Sequence, residues 1–259
     1  MTAAEQPAPR PDPGPSPSLH PDQAPDWLVP LVRACAAVDP DDVPLRRRVG
    51  VGARREAAVL VLFADDPAGP DGPDGPDLLL TERASDLRDH AGQAAFPGGG
   101  VDDTDADLVA TALREAQEET GVDPDGVVPL ITLPPLTIPV TGFAVTPVIA
   151  HWRRPVEVGV VDPGETAAVV RVPLTVLADP AHRFTVTGPS GYTGPAFAVG
   201  GLLVWGFTAL LVSWLLELGG WARPWDTTDV RDLEDVWRHR HQLSSAPGDP
   251  DRHRGGTIR

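Results

Sequence analysis

Glu115, Glu118 and Glu119 are the residues of this chain whose spacing points most directly to chemistry. On an α-helix they stand at i, i+3 and i+4, so the three carboxylates share one face. Like charges gathered this way repel one another. Oxygen ligands of this kind suit a hard divalent cation, Mg2+ or Mn2+. Upstream, Phe96-Pro97-Gly98-Gly99-Gly100 makes a loop poor in side chains. Its backbone can approach the same place, offering a carbonyl to a metal and room to a diphosphate. The run REAQEE taken alone also fits an ordinary solvated acidic helix face. The glycine loop, the helix and the carboxylate spacing together favour a site.

Those groups need elements to hold them. Residues 107–119 are good helix formers, with a start signal at Thr104/Asp105 and Gly121 just past the end. A β-branched-rich run at 57–63 reads as a buried strand, and 78–81 as its returning partner. Between them the repeat GPDGPDGPD, 69–77, reads as a flexible hairpin loop; three copies of a collagen-like triplet cannot make a triple helix. A helix is expected over 27–37, and short strands at 127–132, 143–150 and 168–172. The stretch 197–218 is long enough to span a bilayer, with Glu217 its one charge, but Gly200, Gly201 and Gly206 interrupt it. No Arg or Lys precedes it to fix an orientation. A core strand followed by a buried helix over 208–218 is the expectation. The fold class is α+β, with mostly short strands.

Composition narrows the partners. The 259 residues include 37 acidic and 21 basic ones, for a net charge of −16, and every fixed cation is Arg. Such a chain approaches nucleic acid at an electrostatic cost, though a small polyphosphate remains acceptable where metal or local Arg neutralises it. The apolar fraction of 41% supports a real core. The one cysteine, Cys35, excludes an internal disulfide and a Cys-rich zinc site and reads as a buried thiol. Residues 1–25, alternating Pro with small and polar residues, are expected to be a disordered tail, and 244–259 likewise. The start lacks the apolar core of a secretory signal, so a cytoplasmic location is the expectation. The basic run Arg46-Arg47-Arg48 and Arg54-Arg55 is expected to pair with Asp41 and Asp42. Trp205, Trp214, Trp221 and Trp225 are expected to pack rather than stack on a base.

The segment 78–122 resembles the Nudix hydrolase signature, G-x5-E-x7-R-E-U-x-E-E-x-G-U. Arg114, Glu115, Ala116, Glu118, Glu119, Gly121 and Val122 fit its second half. Two departures stand at its start. Counting from Gly99, the acidic position holds Asp105 rather than Glu, and the spacer is one residue longer. Counting from Gly100 restores the spacer but puts Ala106 there. The preceding LLLTERASDLRDHAGQAAFPGG is similar to an element of the Nudix coenzyme A pyrophosphatases. Thr81, Arg83, Leu87, Arg88, His90, Gly92, Phe96, Pro97, Gly98 and Gly99 all fit it.

The resemblance implies a Nudix fold: a mixed sheet sandwiched between helices, with a loop–helix–loop motif, filling 26–243. It implies metal-dependent hydrolysis of the diphosphate of coenzyme A or a derivative, giving 3′,5′-ADP and a 4′-phosphopantetheine product. Glu115, Glu118, Glu119 and the Gly99 carbonyl would hold Mg2+ or Mn2+. Arg114 would orient a carboxylate through charge-assisted hydrogen bonds. The base is left open among Glu115, Glu118 and Glu165. Arg83, Arg88 and His90 would lie beside the substrate, His90 binding a phosphate or only holding the loop. The expected partner is the small-molecule substrate, without nucleic acid or membrane, and a homodimer is compatible. The rival readings are a Nudix enzyme for another nucleoside diphosphate derivative, a non-catalytic nucleotide-binding module, and a membrane protein spanning at 197–218.

Overall fold

The computed structural model describes residues 18–39, 55–66, 74–85, 90–138, 142–188 and 191–240. Its central strand is β1 (Arg55–Ala64), and its residues alternate between two cores. Ala58, Leu60, Leu62 and Ala64 face one cluster, and Val61 and Phe63 face another. A strand buried on both faces reads as a continuous apolar run, as AAVLVLF does. β1 pairs in parallel with β7 (Phe143–Trp152) and antiparallel with β2 (Asp77–Arg83) and β4 (Gly98–Gly100). β3 (Ala94–Ala95) and β8 (Thr166–Pro173) join β2, while β5 (Val127–Thr132) and β6 (Leu136–Ile138) join β7. Together these make a mixed eight-stranded sheet.

Helices cover both faces. On one lies α2 (Leu108–Thr120), which puts Val109, Ala112, Leu113 and Ala116 against the even-numbered residues of β1. On the other lie α1 (Val29–Ala36) and α4 (Gly206–Leu218), packed with Val61, Phe63, Leu78 and Leu80. The expected sandwich is therefore what forms. Cys35, on α1, is 5% exposed, and burial pushes its thiol up to about 12.

A second, four-stranded sheet follows: β9 (Arg183–Gly188), β10 (Tyr192–Val199), β11 (Leu202–Val204) and β12 (Val230–Asp232). A one-turn helix, α3 (Leu174–Leu177), precedes it, and α5 (Leu233–Arg238) closes the described chain. The 197–218 stretch is thus two strands and a helix. Gly200 and Gly201, at φ +55° and +78°, turn the hairpin between β10 and β11. α4 starts two residues before the expected Thr208. Among the described residues, no helix is long and apolar enough to cross a membrane.

Two expectations are corrected. Residues 18–25 do not form part of a tail: Pro21–Gln23 is a 3-10 helix, and the His20 N–H donates to the Pro129 carbonyl at 2.8 Å. The start signal of α2 is not Thr104/Asp105 but Asp107, whose carboxylate accepts from the Ala110 N–H at 2.8 Å. Arg46, Arg47, Arg48, Arg54, Asp41, Asp42 and most of the 69–77 repeat lie outside the described residues. Arg55 sits 5.8 Å over the Phe143 ring. Trp214 is buried and Trp221 packs on Trp27 and Phe63, as packing residues should.

Candidate active site

The carboxylate helix meets the glycine segment edge to edge. Gly98-Gly99-Gly100 is a strand rather than a loop, pairing with Val59, Ala58 and Ala57. At Gly98 only glycine fits, and at Gly99 a side chain would have to push the Glu115 carboxylate aside. A Cβ on Gly98 would come within 2.3 Å of the Ala58 carbonyl oxygen, and one on Gly99 within 2.5 Å of the Glu115 carboxylate. The backbone of Gly99 therefore lies directly against Glu115, and the Gly98 N–H donates to Glu119 Oε2 at 3.2 Å.

Glu119 is 5% exposed, so the face that carries it is buried rather than open. Burial pushes its carboxyl up to about 7; the Gly98 N–H and the Arg83 charge oppose this, and the Glu115 and Glu165 charges add to it. Glu115 is also raised, by burial first, with Arg114 opposing and Glu118 and Glu165 adding. Glu165, exposed just before β8, thus stands close enough to act on both carboxylates.

Arg114 organises the outer half of the site. It grips Asp105 through two parallel bonds, Nε to Oδ1 at 2.9 Å and Nη2 to Oδ2 at 3.0 Å. Its Nη1 reaches Glu115 Oε1 and Glu118 Oε2, each at 2.9 Å, and Nη2 also reaches the Gly100 carbonyl at 3.1 Å. These anions raise the guanidinium above its ordinary value, Asp105 most, and Arg114 in turn lowers Asp105 to about 2. Glu118 is 58% exposed and drawn onto Arg114, not onto the glycine strand. Among the described residues, no three His, Cys, Asp or Glu side chains converge as a preassembled metal cage.

Asp105 is the residue that sequence reasoning passed over as a site residue. Its signal was the acidic position of the signature, and the structure selects the register counted from Gly99. Asp105 also accepts from the Thr111 hydroxyl and the Asp102 N–H, each at 2.9 Å.

The upstream residues divide. Arg83, at the end of β2, acts on Glu119 by charge, and its Nε is buried without a hydrogen-bond partner. His90 does not reach the carboxylates: its Nδ1 lies 2.9 Å from Gln93 Oε1 and its backbone sits at φ +59°, so it shapes a turn. Arg88 lies outside the described residues. A cavity of about 510 Å3 between α1, β1 and the β5–β6 connection, lined by Cys35, Glu56, Leu108, Leu133 and Thr146, holds none of the expected site residues.

The Nudix domain profile matches residues 53–183, half of the sequence. The chain belongs to the Nudix domain family. Over 129 residues it is 49% identical to an uncharacterized Nudix hydrolase NudL of Cronobacter sakazakii, covering 47% of this chain and 58% of that protein. A NudL of Salmonella paratyphi B is 46% identical over 127 residues, with the same coverage. The match thus spans under two thirds of these curated relatives' length. Among solved structures, the Nudix hydrolase RenU of M. smegmatis aligns with a TM-score of 0.45 at 21% identity, covering 67% of this chain and 90% of that one.

Proposed function

We propose that this Nudix domain hydrolyses the diphosphate of a nucleoside diphosphate derivative, and that coenzyme A or a derivative is the substrate. The observation that carries the reading is the seam between Gly98-Gly99 and the Glu115 and Glu119 carboxylates, with Arg83 and Glu165 beside it.

The residues present fit a hard divalent cation. Glu115 and Glu119 offer carboxylate oxygens from one helix face, and the Gly99 backbone is brought against them with no Cβ between. Glu119 is a buried carboxylate with no ion-pair partner among the described residues, and a cation joining it would relieve the burial cost that otherwise favours its protonated form. Glu115, Glu119 and the Gly99 carbonyl would hold Mg2+ or Mn2+, and Glu118 would be a further ligand, directly or through water, after leaving Arg114. When bound, the ion supplies charge neutralisation of the diphosphate and a lowered pKa for an attacking water.

The chain's own residues do the rest. Arg114 fixes Glu115 and the Gly100 end of the glycine strand as one unit, so these donors stay in place. Arg83 brings a cation with an unpaired N–H, suited to a phosphate oxygen. Glu165, exposed and near both carboxylates, is the base this arrangement favours, because Glu115 and Glu118 are occupied by Arg114. The Nudix match and the NudL relatives support hydrolysis; the coenzyme A-type residues Arg83, His90, Phe96 and Pro97 support the substrate.

The test is hydrolysis of coenzyme A and of dephospho-coenzyme A with and without Mg2+ or Mn2+, with products separated by chromatography. Metal-dependent release of 3′,5′-ADP is expected. Cleavage of other dinucleotides but not of coenzyme A would keep the hydrolase and discard the substrate.

A further inference from the structure

Beyond the residues matched by the family profile, the chain brings a second arginine to the turn that pairs with Arg83. The turn 90–93 is strapped to Arg83: the Arg83 N–H donates to the Gln93 carbonyl and the Gly92 N–H to the Arg83 carbonyl, each at 3.0 Å. The far side of that strap rests on the segment that ends α5. Gly92, at φ +67°, has no Cβ; one placed there would lie 3.2 Å from the Trp237 ring and 3.8 Å from Arg240 Nη2. Arg240 lies over the Trp237 ring, 4.5 Å from its centroid, and its Nη1 donates to the Trp237 carbonyl at 3.1 Å. Trp205 packs edge-on against both Trp237 and Tyr192 and so fixes Trp237 in turn.

A guanidinium stacked on an aromatic ring keeps its N–H groups in its own plane, pointing past the ring. Only one Arg240 N–H bond is made within the described residues. No described carboxylate lies within ion-pair distance of it, although its charge is felt by the half-buried Glu82 next to Arg83. Leu79 faces the α2 core while Leu78 and Leu80 face the α4 core. The Arg83 charge acts on Glu119 and the Arg240 charge on Glu82, with a register shift of β2 between Glu82 and Arg83.

We propose that Arg240, held by Trp237 against the 90–93 strap, is a specificity residue that binds an anionic group of the substrate outside the scissile diphosphate, a phosphate on the nucleoside being the chemistry that fits. This rests on the nucleoside diphosphate reading above. Arg83 then serves the reacting diphosphate, and Arg240 sorts substrates that carry an additional phosphate from those that do not. Trp237 is a positioning residue: it sets the plane of the guanidinium.

The experiment is calorimetric binding of adenosine 3′,5′-bisphosphate and adenosine 5′-phosphate to the full chain and to R240Q and R240K, with circular dichroism melts of each. The unaltered chain is expected to prefer the bisphosphate by about tenfold, the scale of one charge-assisted contact. R240Q should lose that preference while keeping its affinity for the monophosphate, and R240K should keep part of it. An unaltered preference in a folded R240Q, or no preference in the unaltered chain, overturns the proposal. Hydrolysis is followed separately, so a chain that discriminates the two nucleotides yet cleaves no diphosphate counts against the catalytic reading and not against Arg240.

Discussion

Three side chains of the site invite direct tests, because each is held by contacts that name its role. In E119Q the amide oxygen can still accept the Gly98 N–H, so the fold should survive while metal-dependent turnover collapses; a steady-state assay beside a thermal melt checks both. G99A should cost about a hundredfold in turnover, since its new methyl would have to displace the Glu115 carboxylate it would otherwise meet at 2.5 Å. Asp105 bears on stability as well. Its carboxyl is held at about 2, below the ordinary 3.8, chiefly by Arg114. A depressed folded value means that its stabilisation is complete above about 3.8 and is lost as the pH falls toward 2. D105N should therefore unfold more easily in urea at pH 7, by about 2 kcal/mol from the weakened charged bonds, and the gap to the unaltered chain should close near pH 2.

At the level of elements, α2 shows how local signals and tertiary contact share the work. Asp107 caps its first turn and Gly121, at φ +76°, ends it with its N–H on the Gln117 carbonyl. D107A is expected to lower the unfolding free energy by about 1 kcal/mol, measurable by denaturant titration, without altering the glycine strand. The helix itself was legible in the sequence, as were β1 and β5, because 3.6-residue and two-residue periods are local properties. The glycine strand was not. Glycines punctuate loops far more often than strands, and only the contacts with Ala58 and Glu115 show why Gly98 and Gly99 stand in a sheet. β9 went unseen for a related reason, its short run being bounded by the Pro and Gly that elsewhere mark loops. Glu115 and Glu119 came from spacing. Arg114 on Asp105, and Arg240 on the strap that holds Arg83, join residues that only the fold brings together.

For the whole molecule, the residues after the profile match are structurally committed to the part that carries the carboxylates. α4 shares a core with β1, β2 and α1, and the Thr208 hydroxyl donates to the Ala94 carbonyl, beside the glycine segment, at 3.0 Å. The second sheet and the Nudix sheet should accordingly unfold together. Coincident transitions by tryptophan fluorescence and far-ultraviolet circular dichroism would show it, and separate midpoints would refute it. Cys35 is also a natural reporter of motion in its layer. Its thiol is the only one in the chain, lies between α1 and the sheet, and is kept protonated by burial. It is 5% exposed and lines the cavity between α1 and the β5–β6 connection, so the rate of its labelling by a disulfide reagent is a built-in clock for the opening of that layer. If substrate steadies the molecule, the clock should slow in its presence, with no reporter group added to the chain.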